Sequence, residues 1–580
     1  MELGEVATLQ RLESEFASGG HPCNAVNGAR REEISLGRGK GISLGSAIMS
    51  DLFTWIDILV LLAYLGLTTW VGHVMGGKQA TISDFFAGGK SLPWWAVSGS
   101  IIATEISGVT FIGVPGTLFA LEGNFTYLLW GIGSILGRII VGLYFVPAFY
   151  EDEIYSPYDY MGRRIKPSMK TLATVFFTVG SILGQSVRVL VAAIPLTLVT
   201  GLSFNTCILI IGVFAIGWTL MGGMRTVIWT DLMQFFLFTF GGLLTLFWIA
   251  GHLDGGFGAF WTQASEAGKT QIWDGRFGFG PELKFTFWVA ILAVPFQNLT
   301  AFGVDQLNAQ RMFCCRNAGD ARKAIIWSSA GQILTLMMLM VGAALWVFYQ
   351  NVPATGVVAE TLQFGEDGVP AKPDRVFPAW IVSELPAGLS GLILAAVFAA
   401  AISSLDSILA ALSQTTISLI HHPERGEVTV SQKALVKQSR VWVVIWGIIL
   451  TLFTLLMNYV QNHLKIPVLP LAFGMTTYTM GPLLGMFLCS LWGKGTYRGL
   501  LWGAILSFLC TIFVRMDLWI LLKKAGVEID WLTLLPTYVS QGGDVMPTLA
   551  SFWMWPLGTL ITIGGGLLGA QLERNRGAQN

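Results

Sequence analysis

Apolar runs of about 20 residues, the length that crosses a bilayer, alternate with short polar stretches from Leu52 to Leu572. They lie near residues 53 to 75, 92 to 119, 127 to 150, 170 to 200, 205 to 222, 227 to 252, 284 to 310, 324 to 349, 386 to 420, 439 to 459, 467 to 492, 498 to 516 and 548 to 571. Each predicts a membrane-spanning helix, and none carries the polar face at helical period that a large soluble helical protein needs. The pattern divides the chain into a polar extension at 1–50, a leading span and loop at 51–91, five helices at 92–253, a loop at 254–283, five more helices at 284–492, two trailing helices with their loop at 493–572, and a tail at 573–580.

Two of these spans are interrupted. In the second, "SIIATEISGVTFIGVPG" puts Thr104, Glu105, Ser107, Gly108 and Thr110 in mid-span, with Gly113 and Pro115 close behind. A helix that unwinds there bares backbone carbonyls and half-helix ends, with which transporters bind ions and solutes. The seventh span repeats the theme in "VPFQNLTAFGVDQLNAQR", with Gln297, Asn298, Thr300 and Gly303. Five spans separate the two interruptions, as an inverted repeat of five plus five helices predicts, with the binding site between its broken members.

The ninth span contains "FAAAISSLDSILAAL". Ala400, Ser403, Ser404 and Ser407 follow at i, i+3, i+4 and i+7, so one helix face presents hydroxyls and a loosened carbonyl. Such hard oxygen donors suit an alkali cation. Asp406 lies beside that face, and Asp231 in "VIWTDLMQFF" opens the sixth span. A lone serine in such a helix usually bonds back to its own backbone; a whole face with two acids nearby points to ion chemistry. Intramembrane charges also mark function or pairing. Glu105 and Arg188, the latter in "GQSVRVLVAAI" of the fourth span, either pair with each other or meet a solute, and Arg138 in the third span reads as an interhelical pairing group.

Charge sets the orientation. Basic residues gather in alternate loops: Lys78 and Lys90; Arg163, Arg164, Lys166 and Lys170; Arg225; Arg311, Arg316, Arg322 and Lys323; Lys433, Lys437 and Arg440; Lys494 and Arg498; Arg574 and Arg576. Those loops are expected in the cytoplasm, the N-terminus outside, the C-terminus inside, and the loops near 253 to 283, 350 to 380 and 517 to 547 outside. Residues 1–48 carry Arg11, Arg30, Arg31, Arg38 and Lys40 and run against this bias. They form a disordered extension, or the natural start is Met49, the reading favoured here.

Composition agrees with a membrane protein: 53% of the 580 residues are hydrophobic, 12% are charged, and the formal net charge is zero. Cys23, Cys207, Cys314, Cys315, Cys489 and Cys510 show neither paired nor metal-ligand spacing. His21, His73, His252, His421, His422 and His463 avoid mid-membrane positions, and no "GxxxxGK[ST]" appears. An enzyme or an ATP-driven pump is therefore not expected. Nothing calls for nucleic acid or an obligate protein partner; the expected partners are a small solute, an ion and the lipid bilayer.

In these stretches the chain resembles the sodium:solute symporter family, which includes sodium/glucose, sodium/sialic acid and sodium/proline transporters of LeuT-like fold. The likeness runs from about Asp51 to Leu572 and rests on "DFFAGGKSLPWWAVSGSIIAT", "MGGMRTVIWTDLMQ", "FAAAISSLDS" and "MGPLLGMFL" together. It implies an all-α integral membrane protein of about 13 transmembrane helices, a 5+5 inverted repeat with one leading and two trailing helices. A shared sodium site would use the backbone oxygens of Ala103, Ile106 and Ala400 and the hydroxyls of Ser403 and Ser404. A second, as in the sialic acid branch, would use Asp231, Ser403, Asp406 and Ser407, with Asp406 standing where that branch has a serine.

The sugar branch's solute positions fall on Glu105, Thr110, Asn298, Ala301 and Gln332, with Phe302 as gate. Only Asn298 keeps the sugar-transporter residue; Ala301 replaces a gating tyrosine and Gln332 a lysine. Ser107 and Thr110 match the sialic acid branch, and Arg188 lies about one turn from the arginine that holds that ligand's carboxylate. The resemblance implies a sodium-coupled symporter of the cell membrane that imports a monosaccharide or sugar acid by alternating access, with sodium as coupling ion and no cofactor. The alternatives are a small carboxylate or amino acid as solute or, in another class, a membrane solute sensor.

Overall fold

The computed structural model describes residues 54–77, 80–151, 154, 156–221, 223–354, 356–362, 370, 372–421, 431–464, 468–515, 537–539, 545–547 and 549–577. The N-terminal extension with its alternative start, and most of the expected loop at 517 to 547, lie outside them. Helices dominate the described residues. In chain order they include α1 (Trp55–Gly76), α2 (Trp94–Glu105), α3 (Val109–Phe119), α4 (Phe125–Glu151), α5 (Pro157–Arg164), α6 (Pro167–Thr200) and α7 (Phe204–Met221). The chain continues through α8 (Met224–Gly251), α9 (Gly256–Glu266), α10 (Phe287–Val304), α11 (Gln306–Met312), α12 (Ala318–Asn351), α13 (Leu389–His421) and α14 (Gln432–Leu464). It ends in α15 (Val468–Thr476), α16 (Met480–Leu491), α17 (Tyr497–Arg515), a hairpin of β1 (Thr537–Val539) with antiparallel β2 (Val545–Pro547), and α18 (Met554–Gly577).

Of the about 13 helices expected, eleven are recognised by length and hydropathy among the described residues. Among the described residues ten helices are long and apolar enough to cross a membrane, and α2 with α3 makes an eleventh, bent by 54°. The two others expected are α7, of 18 residues, and the run at 467 to 492, which divides into α15 and α16. Two charges assigned to loops also sit elsewhere. Arg311 is on α11 with 0% of its surface exposed, and Lys170 on α6 with 5%. Lys170 Nζ lies 2.9 Å from Asp159 Oδ1 of α5 and donates to Ser418 O of α13 at 2.9 Å, so its charge is compensated inside the fold.

The helices differ in how much they face lipid. Within its most apolar window α13 is 88% buried and α1 only 17%, which puts α13 at the centre and α1 at the rim, with Trp55, Leu62 and Trp70 exposed. Three close approaches fix the frame around α13. Gly133 and Gly137 of α4 lie against α10, where a Cβ would stand 2.1 Å from Ala290 O and 2.7 Å from Asn298 Cβ; only a residue without a side chain lets these helices meet. Asp57 makes the second. Its Oδ2 accepts from Thr54 N and Oγ1 at 2.9 and 2.7 Å, closing the N-terminal cap of α1. Its Oδ1 accepts from Gly388 N, Ser390 Oγ and Gly391 N at 2.7, 2.6 and 2.8 Å, at the start of α13, where a helix favours negative charge. Third, Lys269, 2% exposed, donates to Leu118 O, Ala120 O and Leu121 O at 3.1, 2.7 and 3.1 Å, closing the carbonyl end of α3.

The Asp57 contact generates a stability test. Asp57→Ala leaves buried donors at the start of α13 without an acceptor and is expected to cost roughly 1–3 kcal/mol, read as a lower thermal midpoint in detergent. Gly391→Ala should destabilise as well, because its Cβ would stand 2.6 Å from Asp57 Cα. Wild-type midpoints for both variants would contradict the cap.

Candidate functional site

The bend between α2 and α3 sets the chemistry. Ile106 leaves helical geometry at φ −75° and ψ 74°, so the last carbonyls of α2 lose their in-helix partners. Those carbonyls turn to α13 and α6: Ser403 Oγ lies 3.5 Å from Ala103 O, Ser404 Oγ lies 3.5 Å from Thr104 O, and Arg188 Nη1 donates to Thr104 O at 3.3 Å. Ala103, Ile106, Ser403 and Ser404 are all at most 1% exposed, and Ala400 lies one turn earlier on α13. The negative end of a half-helix dipole and two hydroxyl oxygens thus meet at one buried point, a donor set for a hard monovalent cation.

A second cluster lies along the same face of α13. Arg311 Nη2 donates to Asp231 Oδ2 at 2.9 Å and to Ser407 Oγ at 2.6 Å, Nε donates to Ser100 Oγ at 2.9 Å, and Nη1 donates to Leu307 O at 2.7 Å. Ser100 Oγ in turn donates to Asp231 Oδ2 at 2.5 Å, and Ser407 Oγ lies 3.1 Å from Asp406 Oδ1. Asp231 and Arg311 are both fully buried. A guanidinium therefore stands among the residues expected to hold a second sodium, and it joins α2, α8, α11 and α13.

A third cluster forms where the solute was expected. Arg138 of α4 makes an ion pair with Glu105, whose Oε1 accepts from Gln332 Nε2 at 3.3 Å. Arg138 also donates to the Ser328 carbonyl and stacks over Phe302, its Cζ 4.2 Å from the ring centroid. Ser107 and Thr110 stay beside the bend: Ser107 N donates to Glu105 O at 2.8 Å, and Thr110 N to Ser107 O at 2.9 Å. Asn298 is engaged elsewhere, accepting from Ser134 Oγ at 2.8 Å across the α4–α10 contact and donating to Val294 O within α10 at 3.0 Å.

The fold thus gathers Ala103, Ile106, Ser403 and Ser404; Asp231, Asp406 and Ser407; and Glu105, Gln332 and Phe302. It does not join Arg188 to Glu105 as an ion pair, and among the described residues Arg188 has no carboxylate within salt-bridge distance. Arg138 and Arg311 are central to two of the clusters, although the pattern of the chain marked them only as a pairing group and a loop charge. Arg138 did carry a signal, as the one charge inside "LLWGIGSILGRII". Arg311 sits one residue beyond the expected end of its span, and its partner Asp231 is far away in sequence.

A polytopic helical protein with buried oxygens gathered at the break of one span, next to a polar cluster at another, has the features of an ion-coupled transporter. The sequence model of the sodium:solute symporter family matches residues 85–507, and the chain belongs to that family. It is 28% identical over 491 residues to a sodium/glucose cotransporter of Vibrio parahaemolyticus, covering 80% of this chain and 85% of that one. It is 29% identical over 368 residues to a sodium/sialic acid symporter of Proteus mirabilis (strain HI4320), covering 62% and 70%. Its fold is that of a solved sodium-coupled sialic acid symporter, with a TM-score of 0.71 at 24% identity, over 90% of this chain and 98% of that one.

Two predictions follow from the clusters. Ser403→Ala and Ser404→Ala should each weaken apparent sodium affinity about tenfold or more, since a hydrogen-bond-strength contact to a charge is worth about 1.5–3 kcal/mol; sodium-dependent thermal stabilisation measures it, and wild-type affinity in both would remove the site. Asp231→Asn strands a buried guanidinium and should cost about 3–5 kcal/mol. Adding Arg311→Gln should recover much of that loss in the same unfolding measurement.

Proposed function

We propose that this chain is a secondary active symporter that imports a small polar organic solute, a monosaccharide or sugar acid, with sodium bound at the bend of α2 and α3. The single observation that carries the reading is the meeting of Ser403 and Ser404 with the carbonyls of Ala103 and Thr104, with Glu105 and Gln332 adjacent. A helix broken in mid-membrane and sealed by a neighbour's hydroxyls gives an ion a way to hold the two together, and that is the coupling step of alternating access. Glu105, Ser107, Thr110 and Gln332 offer polar contacts for hydroxyls. Arg188, half-buried and outside any ion pair, favours an acidic group on the solute, because a charge inside a membrane protein is costly without a direct partner. The relatives named above, which carry glucose and sialic acid, lie on the same two sides of this choice. The charge bias, with Arg574 and Arg576 at the C-terminal end of α18, supports a cytoplasmic C-terminus.

With Arg311 donating to both Asp231 and Ser407, that cluster already contains its cation, and one sodium per solute is the proposed ratio. The energy suffices. A sodium ion falling through about 100 mV releases about 2.3 kcal/mol, and a tenfold gradient adds about 1.4 kcal/mol. Together they support about 500-fold accumulation of a neutral sugar. For a monovalent sugar acid the charges cancel, the potential drops out, and the gradient alone supports about tenfold.

The test is counterflow in proteoliposomes with labelled D-glucose, D-glucuronate, N-acetylneuraminate, pyruvate and L-proline, in sodium or choline. Sodium-dependent exchange of a sugar or sugar acid is expected. Exchange that ignores sodium, or that is confined to pyruvate or proline, would overturn the reading. At a ratio of one, an inside-negative potassium diffusion potential should speed D-glucose uptake and leave D-glucuronate uptake unchanged; acceleration of the acid as well would require a second cation. Arg188→Gln should weaken the acids at least tenfold more than D-glucose, and equal losses would leave Arg188 a structural group.

A further inference from the structure

We propose that Arg138 is the positioning residue of the solute site: it presents the Glu105 carboxylate as an acceptor for a pair of solute hydroxyls and links that carboxylate to Phe302 at the end of α10. The inference deepens the function proposed above and rests on it.

Three elements converge on this one guanidinium. Arg138 projects from α4, pairs with Glu105 at the end of α2, donates to the Ser328 carbonyl of α12, and stands 4.2 Å above the Phe302 ring in the last turn of α10. Glu105 ends α2 at the bend and Phe302 lies in the last turn of α10, just before Asp305 leaves helical geometry, so the charge of Arg138 bridges the two. The pair is also lopsided. Arg138 has 0% of its side chain exposed and Glu105 has 23%, which sets the guanidinium behind and the carboxylate in front.

The exposed partner has capacity to spare. Glu105 Oε1 meets Gln332 Nε2 at 3.3 Å, a long contact for a charged acceptor. An ionised carboxylate only accepts, through two oxygens with about four lone-pair sites, and with an amide beside it it suits adjacent hydroxyls of a polyol. Arg138 supplies what the carboxylate lacks: a fixed orientation from a planar fork and a compensating charge within the membrane. The stacked ring supplies the link, because a guanidinium over an aromatic face holds the ring in place while it holds the acid. A solute that draws Glu105 forward therefore loosens Phe302. Asn298, bound to Ser134 and Val294 O, does not compete for these donors.

Sodium-driven uptake of D-glucose, D-glucuronate, pyruvate and L-proline by the full chain in proteoliposomes tests this, with sodium-dependent thermal stabilisation as the measure of folding and ion binding. Arg138→Lys keeps the charge and loses the fork; it should raise the KM for the sugars at least tenfold while leaving the maximal rate and the sodium stabilisation as in wild type. Arg138→Leu combined with Glu105→Gln removes both charges, avoids a stranded one, and should keep the sodium response while losing sugar affinity by at least the same factor. Unchanged KM in both variants would make the pair purely structural and overturn the proposal. Wild-type uptake confined to pyruvate or proline would overturn it too, since neither offers a hydroxyl pair. A wild type that moves none of the four with sodium would remove the proposed function along with it, an outcome distinct from sodium-driven sugar uptake that the variants leave untouched.

Discussion

A helix broken inside a membrane must find new partners for its freed carbonyls, because no water is there to take them. That requirement organises this molecule. The end of α2 is satisfied from outside the helix, by the hydroxyls of Ser403 and Ser404 and by the guanidinium of Arg188. The end of α3 is satisfied by the ammonium of Lys269. These donors come from α13, α6 and the loop after α9, so the break in one span dictates where two other spans and a loop must pass. α13 is central for this reason, and it is the most enclosed of the long helices.

The same absence of water governs the charges. Asp231 with Arg311, Glu105 with Arg138, and Asp159 with Lys170 are carboxylates each paired with one cation, while Asp57 is held by backbone and hydroxyl donors at a helix start. Removing one member of a buried pair costs more than the pair contributes, so these contacts specify which helices meet. Asp406 and Arg188 stand apart from this scheme, since neither forms an ion pair among the described residues. Asp406 instead accepts from Ser407 Oγ, and Arg188 donates to Thr104 O at the end of α2.

Much of this was legible along the chain. Thr104 to Thr110 interrupt an apolar run, and the break is there; the four-position face of α13 turns its serines to that break, as a period of 3.6 demands. The division of the run at 467 to 492 into two helices was not read from the chain, although Thr476, Thr477, Tyr478 and Thr479 interrupt its apolar residues where α15 gives way to α16. The partners of the charges were hidden for a different reason. Periodicity describes which face a residue occupies on its own helix and carries nothing about which helix lies opposite. Arg311 and Asp231, or Arg138 and Glu105, meet only through tertiary packing, so an arginine just past the end of a span looks like a loop charge until the fold closes around it.

The anchoring of α13 by Asp57 joins the two extremes of the helix set. α1 is the least enclosed long helix and α13 the most enclosed. The carboxylate that rides on α1 grips the first turn of the helix whose middle carries Ser403 and Ser404. One buried acid thereby makes the outermost helix a reference point for the register of the innermost one.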